Sequence, residues 1–156
     1  RPRLVIVSNF ADGRERDYLE DLAGQLGVQV KFRTLVSDEE LVRLYNQARL
    51  TLYAPVMEPF GFVPIESMAC GTPVVGVREG GVRETMLHGE TGLLTERETQ
   101  CFAEALEDLM SDSARRTQFG HQGRAYVEKH WQWNRSAHDL ERHLASVVQQ
   151  PVGQAV

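Results

Sequence analysis

The chain has 156 residues, 42% of them hydrophobic and 25% charged, a composition typical of one globular domain and not of a disordered or collagen-like chain. Its 17 basic and 22 acidic residues give a net charge of −5, and no basic run exceeds Arg115-Arg116, so we expect no nucleic-acid partner. Because the 2 cysteines have no CxxC spacing and the 5 histidines are scattered, we predict neither a disulfide framework nor a metal site.

The first strand is predicted almost at the start of the chain. Leu4 to Val7 is an all-apolar run, typical of a parallel strand that is buried on both faces. It begins without an initiator methionine or a signal-like apolar core, so we expect an excised piece of a larger cytoplasmic protein. No apolar run approaches the ~20 residues that a membrane span needs, and we predict no membrane span.

Four further strands are predicted, and a helix-length segment precedes each of them. They lie at residues 28–32, 50–54, 73–77 and 92–94. This alternation indicates right-handed βαβ crossovers. We therefore predict an α/β fold with a Rossmann-like parallel sheet flanked by helices.

The helices between these strands have recognisable ends. Gly27 is placed to end the first helix, and Ser37-Asp38-Glu39-Glu40 has the capping-box pattern that begins the second. A short third helix is expected near Pro64, and a fourth over residues 82–88.

After residue 94 the pattern predicts three helices with no strand between them, a helical C-terminal extension. Pro151 cannot continue the last helix. We therefore predict one domain over residues 1–150 and a flexible tail over 151–156.

Open parallel sheets bind ligands at the carboxyl ends of their strands, so the loops there are the candidate sites. They contain neither GxGxxG nor GxxxxGK[ST], which argues against a dinucleotide dehydrogenase and a P-loop NTPase. In the loop after the third strand, Pro64 fits the first turn of a helix and Gly61 permits a sharp turn. The amides of Gly61, Phe62 and Val63 are then predicted to be free to bind a phosphate or diphosphate.

Two carboxylates border the same predicted crevice, Glu58 at the end of the strand and Glu66 in the first turn of the helix. Because carboxylates only accept hydrogen bonds, they suit the hydroxyls of a ribose or a sugar. The alternative is a solvated Glu58 and a Glu66 that only complements the helix dipole. Gly80-Gly81 opens another helix and is either a ligand contact or a plain turn.

The segment Glu58-Pro-Phe-Gly-Phe-Val-Pro-Ile-Glu66, followed by Ser67 to Val75, resembles the donor-binding signature of a known family. The family is the retaining GT-B glycosyltransferases of the glycogen-synthase and sucrose-synthase type, that is, glycosyltransferase family 4 (group 1). The resemblance continues through residues 80–84 and 89–94, and back to residues 36–41 and 45–48.

The resemblance implies a role for each matching residue. Glu66 accepts hydrogen bonds from the ribose of a sugar nucleotide, and Glu58, the predicted catalytic residue, lies by the donor sugar. Ser8 and Asn9 stand where relatives usually carry glycine, so that loop is given no role. The remaining predicted donor-binding residues are Thr34, Leu35, Phe60, Gly61, Phe62, Val63, Gly80 and Gly81.

The resemblance also implies one half of a GT-B fold, the C-terminal nucleotide-sugar-binding domain, whose partner is an N-terminal acceptor-binding domain. The expected reaction transfers a hexosyl group from a nucleoside-diphosphate sugar with retention of configuration, and it needs no cofactor or metal. Without the other half we expect donor binding but no transfer, and in relatives the segment matching residues 131–148 crosses back toward that half. The alternatives are half of a GT-B sugar-nucleotide epimerase and a non-catalytic module that senses nucleotides or contacts another subunit.

Overall fold

The computed structural model describes residues 3–10 and 12–148. These form two compact units, one that ends at Leu44 and one that begins at Tyr45. The single domain over residues 1–150 stays a prediction, and the predicted tail at 151–156 lies outside the described residues.

The first unit contains two parallel strands, β1 (Arg3–Ser8) and β2 (Gln29–Thr34), joined by helix α1 (Gly13–Leu26). Asp12 caps α1 by accepting from the amide of Arg14 at 2.8 Å, and Gly27 ends the helix at φ 64°, as the sequence predicts. The expectation that β1 is buried on both faces is wrong. Among the described residues β1 pairs only with β2, and the side chains of β1 are exposed or half-buried.

Helix α2 (Asp38–Gln47) contains the boundary between the two units. The hydroxyl of Ser37 accepts from the amide of Glu40 at 3.3 Å, which confirms the predicted N-cap. The carboxylate of Glu40 lies 3.8 Å from Arg33, so it forms an ion pair in place of the reciprocal half of the capping box.

The second unit contains three parallel strands in the order β3 (Thr51–Tyr53), β4 (Val74–Val77) and β5 (Gly92–Thr95). All four residues of the central strand β4 are buried. The helices between these strands are α3 (Phe62–Ala69) and α4 (Val82–Thr85), so α4 is shorter than predicted. The predicted α/β architecture of parallel strands flanked by helices is confirmed, with the strands paired in two sheets.

Three helices complete the described part of the chain: α5 (Thr99–Ser111), α6 (Ser113–His130) and α7 (Trp133–Val148). The predicted C-terminal helical extension is thereby confirmed. Buried side chains of α5 and α6, Leu109 and Phe119, pack with Val75 and Leu93 of the sheet. No described residue of α7 is buried, and its apolar side chains, Leu140 among them, remain exposed.

The core of the second unit also fixes helix α3 against the sheet. Met68 on α3 is completely buried and packs with Val74, Val82 and Leu94. Beside it, the hydroxyl of Ser67 donates to the carbonyl of Thr72 at 2.9 Å. Because apolar packing and a satisfied buried hydrogen bond both hold α3, the loop that precedes it has a fixed end point.

Candidate functional site

The candidate site is the loop between β3 and α3, which runs from Ala54 to Gly61. Helix α3 begins at Phe62, and Pro64 lies in its first turn as predicted. Because the helix starts at Phe62 and not at Pro64, its first turn carries no acidic residue, and the prediction that Glu66 lies there is wrong. Gly61 precedes the helix at φ +92°, a conformation that favours glycine.

The Glu58 carboxylate folds back over the turn that precedes α3. Its Oε1 accepts from the amide of Gly61 at 2.9 Å and from the amide of Phe60 at 3.1 Å, and its Oε2 accepts from the hydroxyl of Tyr53 at 3.1 Å. The hydrogen bonds from Gly61, Phe60 and Tyr53 lower the pKa of Glu58 below its ordinary value of 4.5. Glu58 is therefore an ionised acceptor at neutral pH, held in one orientation.

This arrangement corrects the predicted anion site. The amide of Gly61 is not free, because it donates to Glu58. For the amides of Phe62 and Val63, we find no acceptor within residues 3–10 and 12–148. Of the three amides predicted to be free, those of Phe62 and Val63 are therefore unpaired within the described residues, and that of Gly61 is not.

The second carboxylate, Glu66, has a tyrosine partner of its own. The buried Tyr45 donates its hydroxyl to Glu66 Oε2 at 3.0 Å. Burial and the negative charge of Glu66 raise the pKa of Tyr45 far above its ordinary value, so this hydroxyl stays a donor. Glu66 is otherwise exposed, which leaves its carboxylate accessible to a ligand.

Tyr53 forms the corresponding pair with Glu58. Burial first, and then the hydrogen bond to Glu58, raise the pKa of Tyr53 to about 12. The sequence by itself assigned no site role to Tyr45 or Tyr53. The available signal was that Tyr53 ends strand β3, at the carboxyl edge where ligands bind.

Gly80 and Gly81 lie against the backbone of the candidate loop. The amide of Gly81 donates to the carbonyl of Glu58 at 3.1 Å. An ideal Cβ built on Gly81 would lie 2.3 Å from the carbonyl oxygen of Phe60, and Gly80 makes a similarly close approach to Glu58. These glycines make room for the loop, and their contact with a donor stays a prediction.

Two aromatic side chains extend from the end of this loop and the start of α3. The rings of Phe60 and Phe62 lie 4.5 Å apart between centroids, and Phe60 meets the edge of Trp131 at 5.5 Å. Trp131 in turn packs against the buried core. Phe60 is therefore anchored, whereas Phe62 is 63% exposed.

Thr34 and Leu35, the residues predicted beside the nucleobase, belong to the other unit. Thr34 ends β2, and Leu35 follows it at φ 51° with its amide donating to the carbonyl of Ser8 at 3.2 Å. Their role at the nucleobase stays a prediction.

Neither a metal-binding cluster nor a membrane-spanning helix is found in residues 3–10 and 12–148. No group of three or more histidine, cysteine or acidic side chains there could hold a metal ion. In the same residues no helix has the length and apolar character needed to cross a membrane.

Comparison with known proteins identifies the family. The model of the family described as "Glycosyl transferases group 1" matches residues 1–126. The chain belongs to this family. The predicted resemblance is therefore confirmed, and a group 1 glycosyltransferase chain of this size fits the C-terminal domain of a GT-B enzyme.

One similar curated relative is D-inositol 3-phosphate glycosyltransferase from Corynebacterium aurimucosum, 33% identical over 92% of this chain and 35% of the relative. Sucrose-phosphate synthase from Thermosynechococcus elongatus superimposes with a TM-score of 0.77 at 31% identity, over 93% of this chain and 39% of that one. HepE from Anabaena, in complex with UDP-glucose, has a TM-score of 0.77 at 25% identity, over 92% of this chain and 41% of that one. This chain thus spans about a third of the length of the curated relatives it matches.

Proposed function

We propose that this chain binds a nucleoside-diphosphate sugar at the loop between β3 and α3. In the complete protein it is the donor half of a hexosyltransferase that retains the anomeric configuration. The observation that carries the proposal is the pair of tyrosine-held carboxylates, Glu58 with Tyr53 and Glu66 with Tyr45, on either side of the start of α3.

Glu66 is the proposed ribose ligand. The hydroxyl of Tyr45 donates to one oxygen of the Glu66 carboxylate and fixes the orientation of the group. A carboxylate offers about four lone-pair positions, so the acceptor capacity left over suits two neighbouring hydroxyls. A neutral tyrosine donor leaves the negative charge on Glu66, and charged hydrogen bonds are the stronger kind.

The diphosphate is proposed to lie at the start of α3. The amides of Phe62 and Val63 have no acceptor among the described residues, and the aligned peptide dipoles of the helix favour an anion there. Glu58, already bound to the amides of Phe60 and Gly61, is proposed to accept from hydroxyls of the sugar.

Transfer itself is proposed to need the acceptor-binding domain, so this chain by itself binds donor without turning it over. In the whole protein, donors at the diphosphate would stabilise the charge that develops on the leaving group. We propose a metal-independent reaction without a cofactor, in the cytoplasm.

Titration calorimetry with UDP and UDP-glucose tests the proposal, and the HepE complex makes these the first ligands to use. We expect the parent chain to bind and Glu66→Gln to bind about tenfold more weakly, because one charged hydrogen-bond acceptor is lost. Glu107→Gln, an exposed glutamate on α5, is the matched control and should bind as the parent does. A parent chain that binds none of UDP, GDP and ADP, or a Glu66→Gln variant with parental affinity, overturns the assignment.

A further inference from the structure

Arg97 joins the loops that follow all three strands of the second unit. It lies two residues after the end of β5, and its guanidinium binds both oxygens of Glu79, at 2.9 Å and 3.0 Å from Nε and 2.8 Å from Nη2. Glu79 belongs to the loop after β4. The same guanidinium donates to the carbonyls of Ala54, at 3.3 Å, and Pro55, at the start of the candidate loop after β3.

These contacts use the shape of the guanidinium as well as its charge. A guanidinium has five N–H donors in a planar fork, so it can bind a carboxylate on one side and two carbonyls on the other. A lysine ammonium carries three donors on one atom and cannot span the same partners. The ion pair lowers the pKa of Glu79 and raises that of Arg97, so both groups stay charged at neutral pH.

The candidate loop is thereby held at two points on its approach to Glu58. Arg97 binds the carbonyls of Ala54 and Pro55, and Gly81 donates to the carbonyl of Glu58 itself. The short segment between these points carries Val56 and Met57, which are largely exposed and give the loop little packing. Polar contacts, rather than burial, therefore determine where the Glu58 carboxylate lies.

We propose that Arg97 is a positioning residue of the donor site, which places Glu58 against the hydroxyls of the donor sugar. This inference rests on the proposed function and adds a residue outside the motif that carries the resemblance. Glu66 lies on α3, which the core packing of Met68 holds independently of Arg97. Loss of the Arg97 contacts should therefore weaken recognition of the sugar more than recognition of the nucleoside diphosphate.

Arg78 supplies a matched control. It directly follows β4, donates to the carbonyl of Leu94 at 3.3 Å and lies 3.8 Å from Glu96. Its side chain is 43% exposed, close to the 37% of Arg97. Arg78 thus links the ends of β4 and β5, and within the described residues its side chain makes no hydrogen bond or ion pair with the candidate loop. We therefore expect Arg78→Lys to alter a guanidinium without moving the loop.

The first measurement needs no ligand. Hydrogen exchange of the free chain should show faster exchange at the amides of Phe60 and Gly61 in Arg97→Lys, because both donate to Glu58. Arg78→Lys should exchange at these amides as the parent does. Unchanged exchange in Arg97→Lys overturns the proposal, whatever the binding results are.

The second measurement is calorimetry with UDP and with UDP-glucose on the parent and the same variants. We expect Arg97→Lys to lose about fivefold in affinity for UDP-glucose and less than about twofold for UDP, since only the sugar contact depends on the loop. A general structural defect would weaken both ligands alike, and that result, or no loss for either ligand, overturns the role of Arg97. A parent that binds neither ligand refutes the proposed function instead, and the exchange result shows separately whether Arg97 holds the loop.

Discussion

Replacing Gly81 with alanine tests whether the close approach of the two loops determines the candidate site. Gly81 has φ −68° and ψ −15°, which alanine adopts without strain, so the effect of Gly81→Ala is steric. An ideal Cβ there would lie 2.3 Å from the Phe60 carbonyl oxygen, whereas ordinary contact begins at 3.4 Å. The loops must therefore separate by about 1.1 Å, the difference between these distances.

Two measurable effects follow from that separation. Overpacking of this kind typically lowers the free energy of unfolding by about 1 to 3 kcal/mol, which urea denaturation would measure. A shift of about 1 Å also breaks the hydrogen bond from Gly81 to Glu58 and moves the Glu58 carboxylate, so affinity for UDP-glucose should fall by about tenfold or more. Calorimetry below the unfolding transition separates this loss from partial unfolding.

Gly24→Ala is the control for the glycine substitution itself. Nothing lies within 4 Å of a Cβ at Gly24, which is in the last turn of helix α1. Alanine there should raise stability by about 0.5 to 1 kcal/mol and leave binding unchanged. If Gly81→Ala matches the parent in both stability and affinity, the contact between the loops does not position the site.

Four further substitutions, one of them a control, test the core and the carboxylate of Glu58 with its tyrosine partner. Met68→Ala, at a completely buried position, should lower the free energy of unfolding by about 2 to 5 kcal/mol in urea denaturation, whereas Met57→Ala, at a position 92% exposed, should change it by less than about 0.5 kcal/mol. The pKa of Tyr53 is raised to about 12, so its contribution to stability is complete below about pH 10 and is lost as the pH rises through 12. The urea midpoint of the parent should therefore fall over this pH range, and that of Tyr53→Phe should fall less. The pKa of Glu58 is lowered from 4.5, so its contribution to stability is present above about pH 4.5 and is lost as the pH falls through the pKa of the folded state. The difference in stability between the parent and Glu58→Gln should therefore shrink in acid. A difference that stays constant with pH would contradict the hydrogen bonds assigned to the Glu58 carboxylate.

Local signals in the sequence determined the order of the elements and most of their ends. Gly27 ends α1 because its left-handed conformation suits glycine, and Ser37 begins α2 because its hydroxyl accepts a free amide of the first turn. Both effects involve residues only a few positions apart, so a reader of the sequence can evaluate them. The family resemblance has the same basis, since each of its motifs is a short continuous stretch of the chain.

The tertiary structure alone decided which groups at the candidate site are partnered. Tyr45 lies 21 residues from Glu66 and Arg97 lies 43 from Ala54, and only the packing of the folded chain brings each pair together. The structure also shows that the Gly61 amide donates to Glu58. The local sequence pattern does not distinguish a free amide from one that already donates to a nearby carboxylate. Residue types at short range fix helix ends and turns, whereas hydrogen bonds between distant residues depend on how the packed strands align the loops that follow them.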